Sequence, residues 1–128
     1  MEGVSMRLIA VGCGGFIGAS LRYLISGWSI KFFGGAFPYG TLIVNILGGF
    51  LIGLIMEASL TSFSISSTMR LFLTTGLMGG LTTFSTFSYE TIGMLGESDY
   101  LLGSLNIGLN LSLSLFGVWL GKSLISVF

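Results

Sequence analysis

The chain has 128 residues, 52% of them hydrophobic and only 8% charged, with a mean hydropathy of +0.97. A soluble domain carries about 25% charged residues, so most of this surface does not meet water. Five basic and five acidic residues balance to zero and histidine is absent. That leaves no basic patch for nucleic acid, no imidazole base and no histidine-based metal site.

Uncharged runs at 32–56, 71–89 and 101–121 each reach the roughly 18 residues of a membrane-spanning helix. The pattern predicts an all-α membrane protein with four transmembrane helices, at 6–26, 38–57, 69–95 and 100–124, in one transmembrane domain over 1–128. Helix 1 resembles a signal peptide in length. Its basic n-region is weak, with Glu2 beside Arg7, and three spans follow, so it reads as a retained helix. Cys13, the only cysteine, lies in an apolar run and reads as a small buried residue. Gly15, Gly18, Arg22 and Ser26 line up on one face of this helix. Arg22 admits two readings: it snorkels to the interface or holds structure there, or it raises the local anion concentration at a pore mouth.

The connection 27–37 leads into Pro38, the only proline, which suits a helix's first turn because its missing N–H costs nothing there. In helix 2, Thr41, Asn45 and Gly48 share a face. The connection 58–68 is rich in Ser and Thr.

Helix 3 contains GGLTTFSTFSYE, residues 79–90. Glycine lowers helix stability and Ser/Thr side chains compete for backbone hydrogen bonds, so a break is expected near 79–83. Carbonyls freed within a bilayer need partners, either another subunit or a bound ion, and broken membrane helices turn such carbonyls towards Na⁺. Past the break, Phe84 and Phe87 lie three residues apart and project to one side, beside a track of Thr83, Thr86 and Glu90. A ring's positive edge can stabilise a small anion without a full positive charge, although membrane phenylalanines are more often packing residues. Glu90 is placed at a vestibule, with no role assigned.

After the polar link 96–99, helix 4 carries Gly103, Asn106, Asn110, Ser114, Gly117 and Gly121 at intervals of three or four residues, one small and polar stripe. Polar residues at bilayer depth are costly and turn inward. They either hydrogen-bond between helices or line a solute path. Neutral donors without a deep carboxylate in helices 1, 2 or 4 suit an anion or neutral solute better than a cation.

Each span also carries one GxxxG pair: Gly14/Gly18, Gly49/Gly53, Gly76/Gly80 and Gly117/Gly121. The spacing lets helix backbones approach closely in lipid. Four spans put both termini on one side, with Arg7, Arg70 and Lys122 there against Lys31 and Arg22 opposite. This is almost no charge bias, and orientation normally follows such bias. Few helices and weak bias favour a homodimer, with antiparallel subunits one option.

GGLTTFSTF at 79–87 resembles the signature of the Fluc family of small fluoride channels. GASLRY (18–23), PYGTLIVNILGGFLIG (38–53), TTG (74–76) and LNIGLNLSLS (105–114) match in order, so the likeness covers essentially the whole chain. The resemblance implies an antiparallel, dual-topology homodimer with two pores in the cytoplasmic (inner) membrane. It also implies passive, selective export of fluoride, which gives fluoride resistance. Its implied pore phenylalanines are Phe84 and Phe87. Gly79 and Thr82 would give backbone carbonyls to a central, structural Na⁺ at the dimer interface. Asn45 would contact the path with Thr41 nearby, and Ser114 would join a polar track with Thr86. Asn106 and Asn110 stand where some family members have tyrosine and serine; Asn110 is retained as a candidate pore residue.

A small multidrug transporter is the main alternative, but it needs a membrane-embedded carboxylate in helix 1, where this chain has Arg22. A non-transporting assembly subunit would explain the GxxxG pairs but not the polar stripes. No nucleophile–base pair or metal cluster points to an enzyme.

Overall fold

The computed structural model describes residues 2–61 and 64–128. Among them every regular element is helical: α1 (Glu2–Phe33), α2 (Tyr39–Leu60), α3 (67–81), α4 (Phe84–Gly96) and α5 (Tyr100–Ser126). Among the described residues, three helices are long and apolar enough to cross a membrane, over Gly3–Phe33, Tyr39–Leu60 and Tyr100–Ser126.

The expected third span, 69–95, is therefore not one helix. Thr82 (φ −84°, ψ 155°) and Thr83 (φ −151°, ψ 115°) are extended, and they separate α3 from α4. The Thr82 N–H still closes the last turn on the Met78 carbonyl (3.0 Å). The Thr83 side chain then caps α4 by accepting from the Thr86 N–H (3.1 Å). The break falls within the predicted 79–83. Upstream, α3 widens into a π-helical stretch over Phe72–Met78, which the sequence did not signal.

The other boundaries also shift. Helix α1 runs on to Phe33 rather than stopping at 26, so most of the expected 27–37 connection is helical. It ends where Gly34 adopts φ +80° and its N–H closes on the Ile30 carbonyl (2.9 Å), the left-handed cap that glycine favours. Helix α2 begins just after Pro38, and α5 begins after Asp99, whose carboxylate accepts from the Leu102 N–H (3.3 Å).

The GxxxG pairs interlock within the subunit. Helices α1 and α3 cross through Gly14, Gly18, Gly76 and Gly80; a Cβ at Gly80 would lie 2.6 Å from the Gly15 carbonyl oxygen. Helices α2 and α5 cross through Gly49, Gly53, Gly117 and Gly121; a Cβ at Gly49 would lie 2.9 Å from the Ser114 carbonyl oxygen. Backbone thus meets backbone at both crossings, the close packing that supports helix association in lipid. Helix α4 packs on α5.

The interior is small. Val44, Met78 and Leu81 form its apolar cluster, while Asn106, Asn110, Thr41, Thr91 and Ser29 are buried polar residues. Large side chains such as Phe16, Leu8 and Leu115 lie outside, in the inverse of a soluble protein's pattern. Cys13 is also outside rather than buried, because Gly14 and Gly18, not Cys13, occupy the crossing with α3.

Candidate functional site

The helix break is held from two sides. On one side, the Asn45 amide engages the Thr83 peptide, with Oδ1 accepting from the Thr83 N–H (2.9 Å) and Nδ2 donating to the Thr83 carbonyl (3.2 Å). On the other, Arg22 Nε donates to the Gly80 carbonyl (3.0 Å). A regular helix would give that carbonyl the Phe84 N–H, which the break moves away. Arg22 therefore has a backbone partner at the break.

Two further carbonyls lose their helical donors. The Thr83 N–H, which would serve Gly79, goes to Asn45, and the Thr86 N–H, which would serve Thr82, goes to Thr83 Oγ1. Gly79 and Thr82 both line a cavity of about 400 Å³. No group of three or more His, Cys, Asp or Glu among the described residues could hold a metal ion. Gly79 and Thr82 therefore bring neutral backbone to the cavity lining.

The same cavity brings Asn45, Phe84, Phe87, Asn110 and Ser114 together with Gly79 and Thr82. Its lining holds no charged side chain. The Phe84 and Phe87 rings lie 5.5 Å apart, inclined at 54°. Phe87 is buried at 7% exposure, whereas Phe84 is 74% exposed in the single subunit. The Ser114 hydroxyl is buried without a hydrogen-bond partner among the described residues. A hydroxyl that bonds no helix carbonyl keeps its proton for something else in the cavity.

Thr41 and Thr86 lie apart from this group. They line a second, wider cavity of about 730 Å³, with Ser26, Ser29, Tyr89, Glu90 and Glu97. Thr41 Oγ1 donates to Glu90 Oε1 (2.6 Å). The Thr83 hydroxyl donates to Thr86 Oγ1 (3.0 Å), so one hydroxyl pair joins the two cavities.

The stripe on α5 is buried, and it forms a polar ladder. Asn45 Nδ2 donates to Asn110 Oδ1 (3.0 Å), Asn110 Nδ2 donates to Asn106 Oδ1 (3.0 Å), and Asn106 Nδ2 donates to Thr91 Oγ1 (2.9 Å). Thr91 is a member that the sequence did not nominate, and Thr83 was expected only in a side-chain track with Thr86 and Glu90. Thr91 carries no signal beyond its hydroxyl. Thr83 contributes mainly through its backbone, which side-chain spacing does not reveal.

A family model described as CrcB-like protein, Camphor Resistance (CrcB), matches residues 9–122. Over 124 residues, 97% of this chain and 96% of the relative, the sequence is 64% identical to the fluoride-specific ion channel FluC of Clostridium perfringens. The protein of the same name from Clostridium novyi is 60% identical over 124 residues, with the same coverage. That of Geotalea daltonii is 50% identical over 114 residues, 89% of this chain and 92% of the relative. Apolar helices and membrane-channel relatives together make this a multi-pass membrane protein. By a match over nearly its whole length, the chain belongs to the CrcB family.

Proposed function

We propose that the protein is a fluoride-selective channel that exports fluoride passively across the cytoplasmic membrane and so confers fluoride resistance. The observation that carries the reading is the uncharged cavity at the helix break, where two phenylalanine rings meet the unpartnered Ser114 hydroxyl. A spare neutral donor sharing a cavity with two rings, whose edges carry partial positive charge, suits a small anion. The absence of a charge in the lining keeps the site weak enough for the ion to leave. The name shared by the relatives supports fluoride as that anion.

On this reading fluoride moves from the wide cavity of Thr41, Glu90 and Thr86, past the Thr83–Thr86 hydroxyl pair, to Phe87, Phe84, Asn45, Asn110 and Ser114. The working unit is an antiparallel homodimer with two pores. A second copy would cover the exposed Phe84 and the outward apolar residues of α1. Gly79 and Thr82 would hold a central Na⁺ through their carbonyls, and this ion would supply fixed positive charge between the subunits. The multidrug alternative finds no support, since the charged residues of α1 past its first turn are Arg7, Arg22 and Lys31.

Purified protein in liposomes is expected to release fluoride and to retain chloride. Equal release of both ions, or no release from folded protein, overturns the reading.

A further inference from the structure

We infer that Asn106, the most deeply buried side chain of α5, is a positioning residue that transmits the polarity of the amide ladder from Thr91 to Asn110 and through it supports the conformation of the helix break. Asn106 is 0% exposed and lies in neither the 400 Å³ nor the 730 Å³ cavity, so it cannot act by touching an ion in either. Its influence has to pass through its neighbours, and every hydrogen bond along that route has one direction.

The direction starts at Thr91. Its hydroxyl proton is used on the Phe87 carbonyl (2.7 Å), so towards Asn106 it can only accept. Asn106 must therefore present its NH₂ to Thr91 and its carbonyl oxygen to Asn110. Asn110 answers with its NH₂, which the Asn106 backbone carbonyl shares (2.9 Å), and its own Oδ1 is left facing Asn45. Asn45 then meets Asn110 with its NH₂, which turns its Oδ1 to the Thr83 N–H. Both ends of the ladder land on one stretch of backbone, the Phe87 carbonyl at one end and the Thr83 peptide at the other. The ladder spans the first turn of α4, the turn that carries Phe84 and Phe87. Replacing Asn106 by an apolar residue of similar shape cuts the side-chain link between Thr91 and Asn110, and Asn110 is then held towards α5 only by the residue-106 backbone carbonyl.

This inference rests on the channel reading for its consequence but not for its structural content, and two readouts separate them. In Asn106→Leu, backbone amide exchange over 82–86 is expected to accelerate by about tenfold, with 111–121 unchanged. Fluoride release per reconstituted protein is expected to fall by about tenfold. Thr91→Val, a smaller perturbation at the origin of the ladder, should do the same in milder form, and Thr91→Ser, which keeps the hydroxyl, should restore both; this pair decides the matter if Asn106→Leu does not fold. Unchanged exchange over 82–86, or equal acceleration throughout α5, overturns the inference, because a merely structural role loosens α5 as a whole. Release within twofold of the wild type also overturns it. If the wild type itself releases no fluoride, the channel reading fails, and the exchange pattern still decides whether Asn106 positions the break.

Discussion

Asn45 holds the Thr83 peptide by both of its polar groups, accepting from the N–H at 2.9 Å and donating to the carbonyl at 3.2 Å. One side chain of α2 thus supplies what neither α3 nor α4 can give at the point where they part. At membrane depth backbone groups freed from a helix need partners within the protein or in a cavity, and this side chain supplies them.

Asn45→Leu is expected to leave a donor and an acceptor unpaired, at about 1–3 kcal/mol for each buried group. The variant should lose thermal stability in detergent and should lose fluoride release more than any surface substitution does. A variant with wild-type melting and wild-type flux would remove Asn45 from both roles.

The break itself was legible in the sequence, because Gly79 and Gly80 followed by consecutive threonines weaken a helix by local chemistry alone. So was the stripe of Asn106, Asn110, Gly117 and Gly121, whose helical spacing matches its observed burial. The Asn45–Thr83 clamp was not legible, since it joins residues 38 positions apart through a backbone group. The extension of α1 to Phe33 was not foreseen, since 27–37 was expected to be a connection; the helix stops only at the left-handed Gly34. The π-helical stretch at 72–78 has no composition of its own; it accompanies the close approach of Gly76 to Val11 and Gly14 of α1.

Gly121→Ala should separate α2 from α5. A Cβ there would run into the Phe50 carbonyl and lie 2.9 Å from the Leu54 nitrogen, both rigid backbone. Overpacking of this kind costs about 1–3 kcal/mol. Gly27→Ala has nothing within 4 Å and should be neutral, or stabilising by up to about 1 kcal/mol. Melting of the two variants in the same detergent checks the contrast, and equal stability would contradict the crossing geometry.

The Arg22 guanidinium and the Gly80 carbonyl form a charge-assisted bond at 3.0 Å. Arg22→Met should cost about 1.5–3 kcal/mol, with the loss concentrated where α3 meets α1. Arg22→Lys keeps the charge but has a single ammonium for a different geometry, so it should recover stability only in part. If Lys restores flux fully while stability stays low, the charge at the pore mouth matters to conduction independently of the cap.

Phe84 and Phe87 should respond differently to isoleucine although they share one cavity. Phe87 is buried, so Phe87→Ile should cost about 1–2 kcal/mol in addition to flux. Phe84 is exposed in the single subunit, so Phe84→Ile should leave the subunit's own fold within about 0.5 kcal/mol, with any further loss confined to association of the two copies, while flux still falls. Both measurements are needed on the same preparation. Unchanged flux in both variants would return the rings to packing.

Sodium is the remaining test of the break. The Gly79 and Thr82 carbonyls have lost their helical donors to Asn45 and to the Thr83 hydroxyl, and no side-chain substitution can remove a backbone carbonyl. The ion must therefore be varied instead. A ligand that binds only the assembled state stabilises it by mass action, so assembly should tighten as Na⁺ rises. Exchange of Na⁺ for a large organic cation during purification should reduce the dimer fraction, or the fluoride flux of reconstituted protein, and returning Na⁺ should reverse the loss. Thr83→Pro offers a second handle. It removes the N–H that Asn45 accepts and fixes φ near −65°, away from the observed −151°, so it should shift the freed carbonyls and flatten the Na⁺ dependence. Indifference of the wild type to Na⁺ in both assembly and flux would mean that these two carbonyls are satisfied without a cation.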